Sequence, residues 1–233
     1  MIKIKDISKT FSDHIILDHV SFEVQEQSTV AVIGSSGCGK STLLRIIIGL
    51  ETADTGQILV NDRPMEEFRS KIGMVFQSSA LFDSLTVGEN VAFALREASY
   101  PEDKIAGIVA EKLELVDLKG TENLMPSELS GGMQKRVSLA RAIAHDPKIV
   151  LYDEPTTGLD PITSTAIEAL INKLAKELKV TSIVVTHQLS TIYRTAQAIY
   201  LLDKGKLIAA GTPKEAEVHK NPIVSNFINA GKW

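Results

Sequence analysis

The sequence predicts an α/β fold with a helical stretch inserted among its strands, and three observations predict it. Short apolar runs of strand type recur at Thr29–Ile33, 72–76, 148–152 and Thr181–Thr186, the pattern of buried parallel strands. Helical spacing fills most of residues 78–145. A glycine-rich run, G-S-S-G-C-G-K-S at residues 34–41, lies between the strand at Thr29–Ile33 and a helix-like segment over 42–50. Strand, loop and helix stand in the order that a phosphate-binding P-loop requires.

Taken along the chain, the first elements are strands. Ile2 and Ile4, then Val20, Phe22 and Val24, alternate with polar residues, the period of a half-buried strand. Asp54-Thr55-Gly56 marks a turn before a strand at 57–60, and Asn61-Asp62 marks another after it. Thr86-Val87-Gly88-Glu89 has the capping-box pattern for a helix running to about Arg96. Ile105, Ile108, Val109, Leu113 and Val116 carry helical spacing over 105–117. Ser130 caps a third helix reaching about Ala144. Asp160-Pro161 is a cap followed by proline at the first helical position. That helix extends to about Lys179, with its apolar face at Ile162, Ala166, Leu170, Leu174 and Leu178. A hairpin over 199–202 and 206–209 follows, and Pro222 opens a short amphipathic helix at the end. Of its two destinations, the chain's own core is favoured over a neighbouring subunit.

The composition is that of an ordinary globular chain: 233 residues, 44% hydrophobic and 23% charged, with net charge −4. That charge gives no general case for nucleic-acid binding. No apolar run approaches the roughly 20 residues that span a bilayer. The N-terminus, M-I-K-I-K-D-I, alternates like a strand and lacks the apolar centre of a signal peptide. One cysteine fits a reducing compartment. A cytoplasmic location is expected, with any membrane role coming through a partner.

The loop residues Gly34, Ser35, Ser36, Gly37, Cys38 and Gly39 bring backbone N–H groups to phosphate oxygens. The helix that follows, through Thr42, aims its positive end at the same phosphates. Lys40 supplies a point charge near the β- and γ-phosphates, and Ser41 a hydroxyl for Mg²⁺. The run I-V-L-Y-D-E-P over 149–155 ends an apolar strand in two carboxylates. Asp153 suits Mg²⁺, and Glu154, one residue on, suits the base that orients an attacking water. Ser130, Gly131 and Gly132 open a helix with little steric cover, an anion-binding end. Cys38 occupies a variable loop position and reads first as a small residue there. The second reading is that the nearby phosphate-binding N–H groups lower its thiol's pKa, in which case a thiol alkylator blocks the activity of this chain but not of Cys38→Ala.

L-S-G-G-M-Q-K-R, residues 129–136, resembles the signature of the ATP-binding cassette (ABC) ATPases. With the P-loop and the I-V-L-Y-D-E-P strand, the resemblance reaches residues 2–215. It implies a P-loop NTPase (RecA-like) core at about 1–77 and 146–215, carrying an N-terminal antiparallel β subdomain. It also implies an inserted α-helical subdomain at about 78–145 and a short tail at 216–233. It further implies that Ser130, Gly131, Gly132 and Gln134 bind the γ-phosphate side of an ATP held by a second chain. Gln77, after a strand, matches the glutamine that reaches Mg²⁺ and the water. His187, in V-V-T-H-Q, matches the histidine that contacts the γ-phosphate. Asp160, in G-L-D, matches a loop lying against the opposite protomer, and Phe11 stands where an aromatic stacks on adenine. The implied cycle is an ATP-dependent homodimer that closes, hydrolyses and opens.

Residues 78–86, S-S-A-L-F-D-S-L-T, fall in the family's coupling region, which implies an integral membrane permease docking near Gln77–Thr86; Leu81, Phe82 and Leu85 would line a groove for its short helix, or in part pack inside the helical insertion. The runs over 76–97, 125–136 and 159–163 are most similar to the ATPases of Mce-type (Mla-like) phospholipid transport systems. That similarity implies lipid transport and a substrate-binding Mce-type protein as a further partner. Gly37-Cys38-Gly39 is instead common in sugar and amino-acid importers. An importer ATPase for amino acids, sugars or metals, although those often carry a longer C-terminal domain, and a non-transport cassette of cell division or Fe–S assembly stay open as alternatives.

Overall fold

The computed structural model of the chain describes residues 1–230; Gly231, Lys232 and Trp233, the end of the tail considered above, lie outside the described residues. Two compact units form. One comprises Met1–Arg69 with the chain from Thr181 onward, and the other is Ser70–Val180.

In the first unit, β1 (Ile2–Phe11), β2 (His14–Val24), β4 (Thr55–Val60) and β5 (Arg63–Pro64) make an antiparallel sheet in the order β2-β1-β4-β5. The alternation predicted it: Ile2, Ile4, Val20, Phe22 and Val24 are all buried. Ser12 and Asp13 join β1 to β2 with φ of 44° and 68°, a two-residue connection with both residues left-handed, as tight hairpins favour. Phe11 and His14 pair across it. β3 (Thr29–Ile33) runs parallel to β8 (Thr181–Thr186) on one side and to β9 (Ala198–Asp203) on the other, and β9 forms a hairpin with β10 (Lys206–Gly211). Helix α1 (Lys40–Ile48) follows β3 through the glycine-rich loop. Helix α6 (Leu189–Thr195), which the sequence reading did not anticipate, follows β8. α7 (Pro213–Glu217) and α8 (Pro222–Ala230) close this unit. Val224 and Ile228 of α8 are buried in a cluster with Ala31, Ile33 and Ile199, so the described part of the tail packs on its own core.

In the second unit, β6 (Ile72–Val75) pairs parallel with β7 (Ile149–Asp153). Four helices accompany them: α2 (Val87–Glu97), α3 (Glu102–Leu115), α4 (Gly131–Ile143) and α5 (Pro161–Leu178). The capping box at Thr86 forms on both sides, Glu89 N–H to the threonine hydroxyl and Thr86 N–H to the glutamate. The apolar face of α5 is Ile167, Leu170, Ile171 and Leu174. Ile162, assigned to that face from spacing, is instead 84% exposed. It stands in the first turn of the helix, and periodicity carries no information on where a partner surface stops.

His145, just past α4, titrates with a consequence. Burial pushes its imidazole below the ordinary 6.5, against weaker upward pulls from the Ile72 backbone and the Asp146 charge. The unfolded chain therefore binds more protons than the folded one below about pH 6.5. Stability is full above that pH and falls as pH drops toward the folded-state value. Melting temperature measured from pH 7.5 to 5 should fall less steeply for His145→Gln than for the parent chain.

Candidate active site

The first unit places the glycine-rich loop at the carboxyl end of β3, whose five residues are all buried. An apolar strand fixes the loop's start, and α1 fixes its end. Gly39, the cap of α1, has φ +106°. A Cβ there would lie 2.9 Å from Ile16 Cγ2 and 3.0 Å from Ile16 O, so backbone angle and space both require glycine. Ser35, Ser36 and Gly37 are exposed, Cys38, Ser41 and Thr42 half-buried, and Gly34 and Lys40 buried. The Lys40 ammonium donates to Gly34 O at 2.9 Å and Ser35 O at 3.0 Å, a charge tethered at the mouth of its own loop. The Cys38 thiol does not follow the expectation of a lowered pKa. Burial raises it, outweighing the opposing pull of the Lys40 charge, so it is a weak nucleophile at neutral pH.

Phe11 ends β1 with 41% of its surface exposed. His187 is exposed one residue beyond β8, where a strand's carboxyl end turns its side chains outward.

The second unit holds the carboxylates. Asp153 is the last residue of β7 and Glu154 the next; both are buried. Glu154 has φ +46°, a left-handed conformation that costs a non-glycine residue about 1 kcal/mol or more. Thr157 Oγ1 donates to Glu154 Oε2 at 3.2 Å. The carboxylate is thus aimed by a strained backbone and a hydroxyl together.

Ser130 caps α4, its hydroxyl accepting from Met133 N–H at 3.3 Å. Gly131 is exposed and Gly132 half-buried. A Cβ on Gly132 would come 2.6 Å from Thr163 Cγ2, so glycine lets the start of α4 lie against the start of α5. The first turn of a helix has backbone N–H groups with no partner inside the helix. Gln134 spends its amide on Pro126 O at 3.0 Å. Asp160 spends its carboxylate on capping α5: Oδ1 accepts from Ile162 and Thr163 N–H, each at 3.0 Å, and Oδ2 from the Thr163 hydroxyl. The hydroxyl bond is the main reason that carboxylate titrates below its usual range.

Gln77 is exposed just past β6. Three side chains that the sequence reading missed hold the backbone after it. Lys135 of α4 donates to Gln77 O. Arg141 of α4 donates to Ala80 O at 2.6 Å and Ser79 O at 2.9 Å. Ser79 and Ala80 are both left-handed, with φ of 59° and 48°. Asn90 of α2, fully buried, accepts from Phe82 N–H at 2.8 Å and places its amide nitrogen 3.0–3.1 Å from the carbonyls of Phe82, Leu85 and Thr86. The available signal was Arg141 in the otherwise mostly apolar stretch V-S-L-A-R-A-I, with Lys135 two residues before that stretch. Burial depresses the Lys135 pKa, opposed by the charges of Asp153 and Glu154. Asn90→Leu strands these backbone groups, and a buried unpaired group costs about 1–3 kcal/mol. Denaturant melts should show a loss of about 2 kcal/mol, while ATP affinity stays near that of the parent chain.

Fold and loop define a P-loop nucleotide-binding protein. The sequence model of one family, described as ABC transporter, matches residues 17–157. Protein TRIGALACTOSYLDIACYLGLYCEROL 3, chloroplastic, of Arabidopsis thaliana is 44% identical over 97% of this chain and 73% of its own length. The intermembrane phospholipid transport system ATP-binding protein MlaF of Haemophilus influenzae is 42% identical over 98% of this chain and 90% of its own. The sulfate/thiosulfate import ATP-binding protein CysA of Thermosynechococcus vestitus is 42% identical over 97% and 69%. Among solved structures, a dimeric post-hydrolysis state of the cassette MJ0796 bound to ADP and Pi superposes with TM-score 0.80 at 32% identity, covering 89% of this chain and 96% of that one. The chain belongs to the ABC transporter family and is an ATPase: it binds and hydrolyses ATP.

Proposed function

We propose that this ATPase powers phospholipid transport through a separate membrane permease. The observation that carries the reading is the 42% identity, across nearly the whole of both chains, with an ATP-binding protein of an intermembrane phospholipid transport system. The runs F-Q-S-S-A-L-F-D-S-L-T and L-D-P-I-T support it. The sulfate importer relative, at the same identity over less of its length, favours a second reading, the ATPase of a solute importer.

In the proposed cycle, the loop from Gly34 to Thr42 cradles the ATP phosphates and Phe11 stacks on adenine. Lys40 neutralises the β- and γ-phosphates. Ser41, Gln77 and Asp153 offer hydroxyl, amide and carboxylate oxygens, the hard donors that Mg²⁺ takes beside phosphate oxygens. Held there, the ion would supply neutralisation of the phosphate charge. Glu154 orients the attacking water and accepts its proton, and His187 contacts the γ-phosphate. A second chain closes head-to-tail, bringing its Ser130, Gly131 and Gly132 helix end to the same phosphate, with Gln134 and Asp160 shaping that face.

Closure is transmitted to the permease through residues 77–86. Phe82 and Phe93 are 43% and 40% exposed, with ring centroids 4.8 Å apart. This apolar aromatic pair suits a short permease helix. Lys135, Arg141 and Asn90 hold the backbone beneath it, so docking orders little new structure. The chain then works at the membrane's cytoplasmic face; no helix among the described residues is long and apolar enough to cross a membrane.

Glu154→Gln, purified with ATP from detergent-solubilised membranes of the source cells and analysed by mass spectrometry of proteins and lipids, tests this function. A multi-span permease with enriched phospholipid and an Mce-type protein is the expected result. A permease without lipid overturns the substrate, and soluble partners alone overturn transport.

A further inference from the structure

Lys9 is a buried lysine on β1 that no step of the proposed cycle uses. Its ammonium lies 4.8 Å from the centroid of the Phe11 ring, over one face of it. It is held there from the loop that follows α1: Glu51 Oε1 stands at 2.8 Å, Asp54 Oδ1 at 3.5 Å and Thr52 O at 2.8 Å. Asp54 also accepts from the Thr10 N–H at 2.7 Å, next to Phe11 in the chain. The Glu51 hydrogen bond chiefly holds the lysine's pKa above its ordinary value, so the cation is permanent at physiological pH.

A cation over an aromatic face is attracted to the ring's negative π-surface, and the attraction grows when the cation is desolvated. Phe11 stands beside the hairpin turn with 41% of its surface open to solvent, where a phenyl ring would otherwise sample several rotamers. Ordering such a ring on ligand binding costs affinity, and a ring already fixed avoids that cost.

We propose that Lys9 is a positioning residue for the nucleobase: pinned by Glu51 and Asp54, it fixes the Phe11 ring from one face so that the other face is preset for adenine. The same three residues tie the platform to the loop after α1, the helix whose first residue is Lys40. Base and phosphate subsites are thereby joined through one buried ammonium. This inference rests on the adenine-stacking role of Phe11 within the proposed cycle.

Calorimetric titration with ATP and with inorganic tripolyphosphate, which lacks the base, tests it on the full chain. Lys9→Met keeps the aliphatic stem and removes the charge. ATP affinity should fall about three- to fivefold, the range of a partly exposed cation–π contact, with tripolyphosphate affinity unchanged. Lys9→Arg should restore ATP binding. Phe11→Ala should weaken ATP alone, and adding Lys9→Met to it should cost nothing further, because the two act as one unit. If Lys9→Met does not fold, Glu51→Gln loosens the ammonium from a half-buried position and should give the same selective loss. Equal weakening of both ligands, or full additivity with Phe11→Ala, overturns the positioning role. Phe11→Ala weakening ATP while Lys9→Met leaves it unchanged also overturns that role but spares the adenine reading. An unchanged ATP affinity in Phe11→Ala overturns both.

Discussion

Glu154→Gln should bind ATP like the parent chain and turn it over about 10²–10⁴ times more slowly, the contribution expected of a positioned general base. The amide matches the carboxylate in size and keeps an oxygen for the Thr157 hydroxyl, so the left-handed turn at residue 154 has no new reason to relax. What it loses is the capacity to accept a proton from water. The phosphate-binding loop lies outside this change, which predicts the separation of binding from turnover. Phosphate-release assays beside calorimetry check both, and wild-type turnover would remove Glu154 from the role of base.

Lys40→Met should have the opposite signature, with binding itself lost. The ammonium is buried and donates to two carbonyls of its own loop, so it serves loop and ligand together. Charge-assisted hydrogen bonds contribute about 1.5–3 kcal/mol each. Removing the charge therefore predicts an ATP affinity reduced on the order of 10²-fold. Methionine keeps the stem's apolar contacts, and the chain should remain folded by circular dichroism. ATP affinity within a factor of about two of the parent chain would contradict the assignment.

The parts legible in the sequence were those where chemistry and local conformation coincide. The glycine-rich loop announces itself because glycine, lysine and serine must fall between a strand and a helix. The capping box at Thr86 and the proline-led start of α5 are written within four residues of chain. Most strands of both units follow from short apolar runs and alternation; the two-residue β5 does not. Less legible were features made by distant pairs. Arg141 meets Ser79 and Ala80 across more than sixty positions, and no local pattern announces that clamp. Lys9 resembles any polar residue of an alternating strand until Glu51 and Asp54 are brought to it. α6 escaped because a seven-residue helix carries too few turns for a period to emerge. The exposure of Ile162 was hidden because spacing gives a direction on the helix but no partner. The thiol of Cys38 went the other way from expectation because burial outweighed the neighbouring charge.

The proposed engine requires two chains, since each carries one P-loop and one L-S-G-G-M-Q run. Light scattering coupled to size exclusion, on Glu154→Gln with saturating ATP and Mg²⁺, with ADP and with no nucleotide, tests that requirement most directly. The account predicts a doubling of molar mass with ATP alone, abolished when Gly132→Val is added to the chain. A molar mass that does not change with ATP, or a dimer equally present in all three conditions, would contradict it.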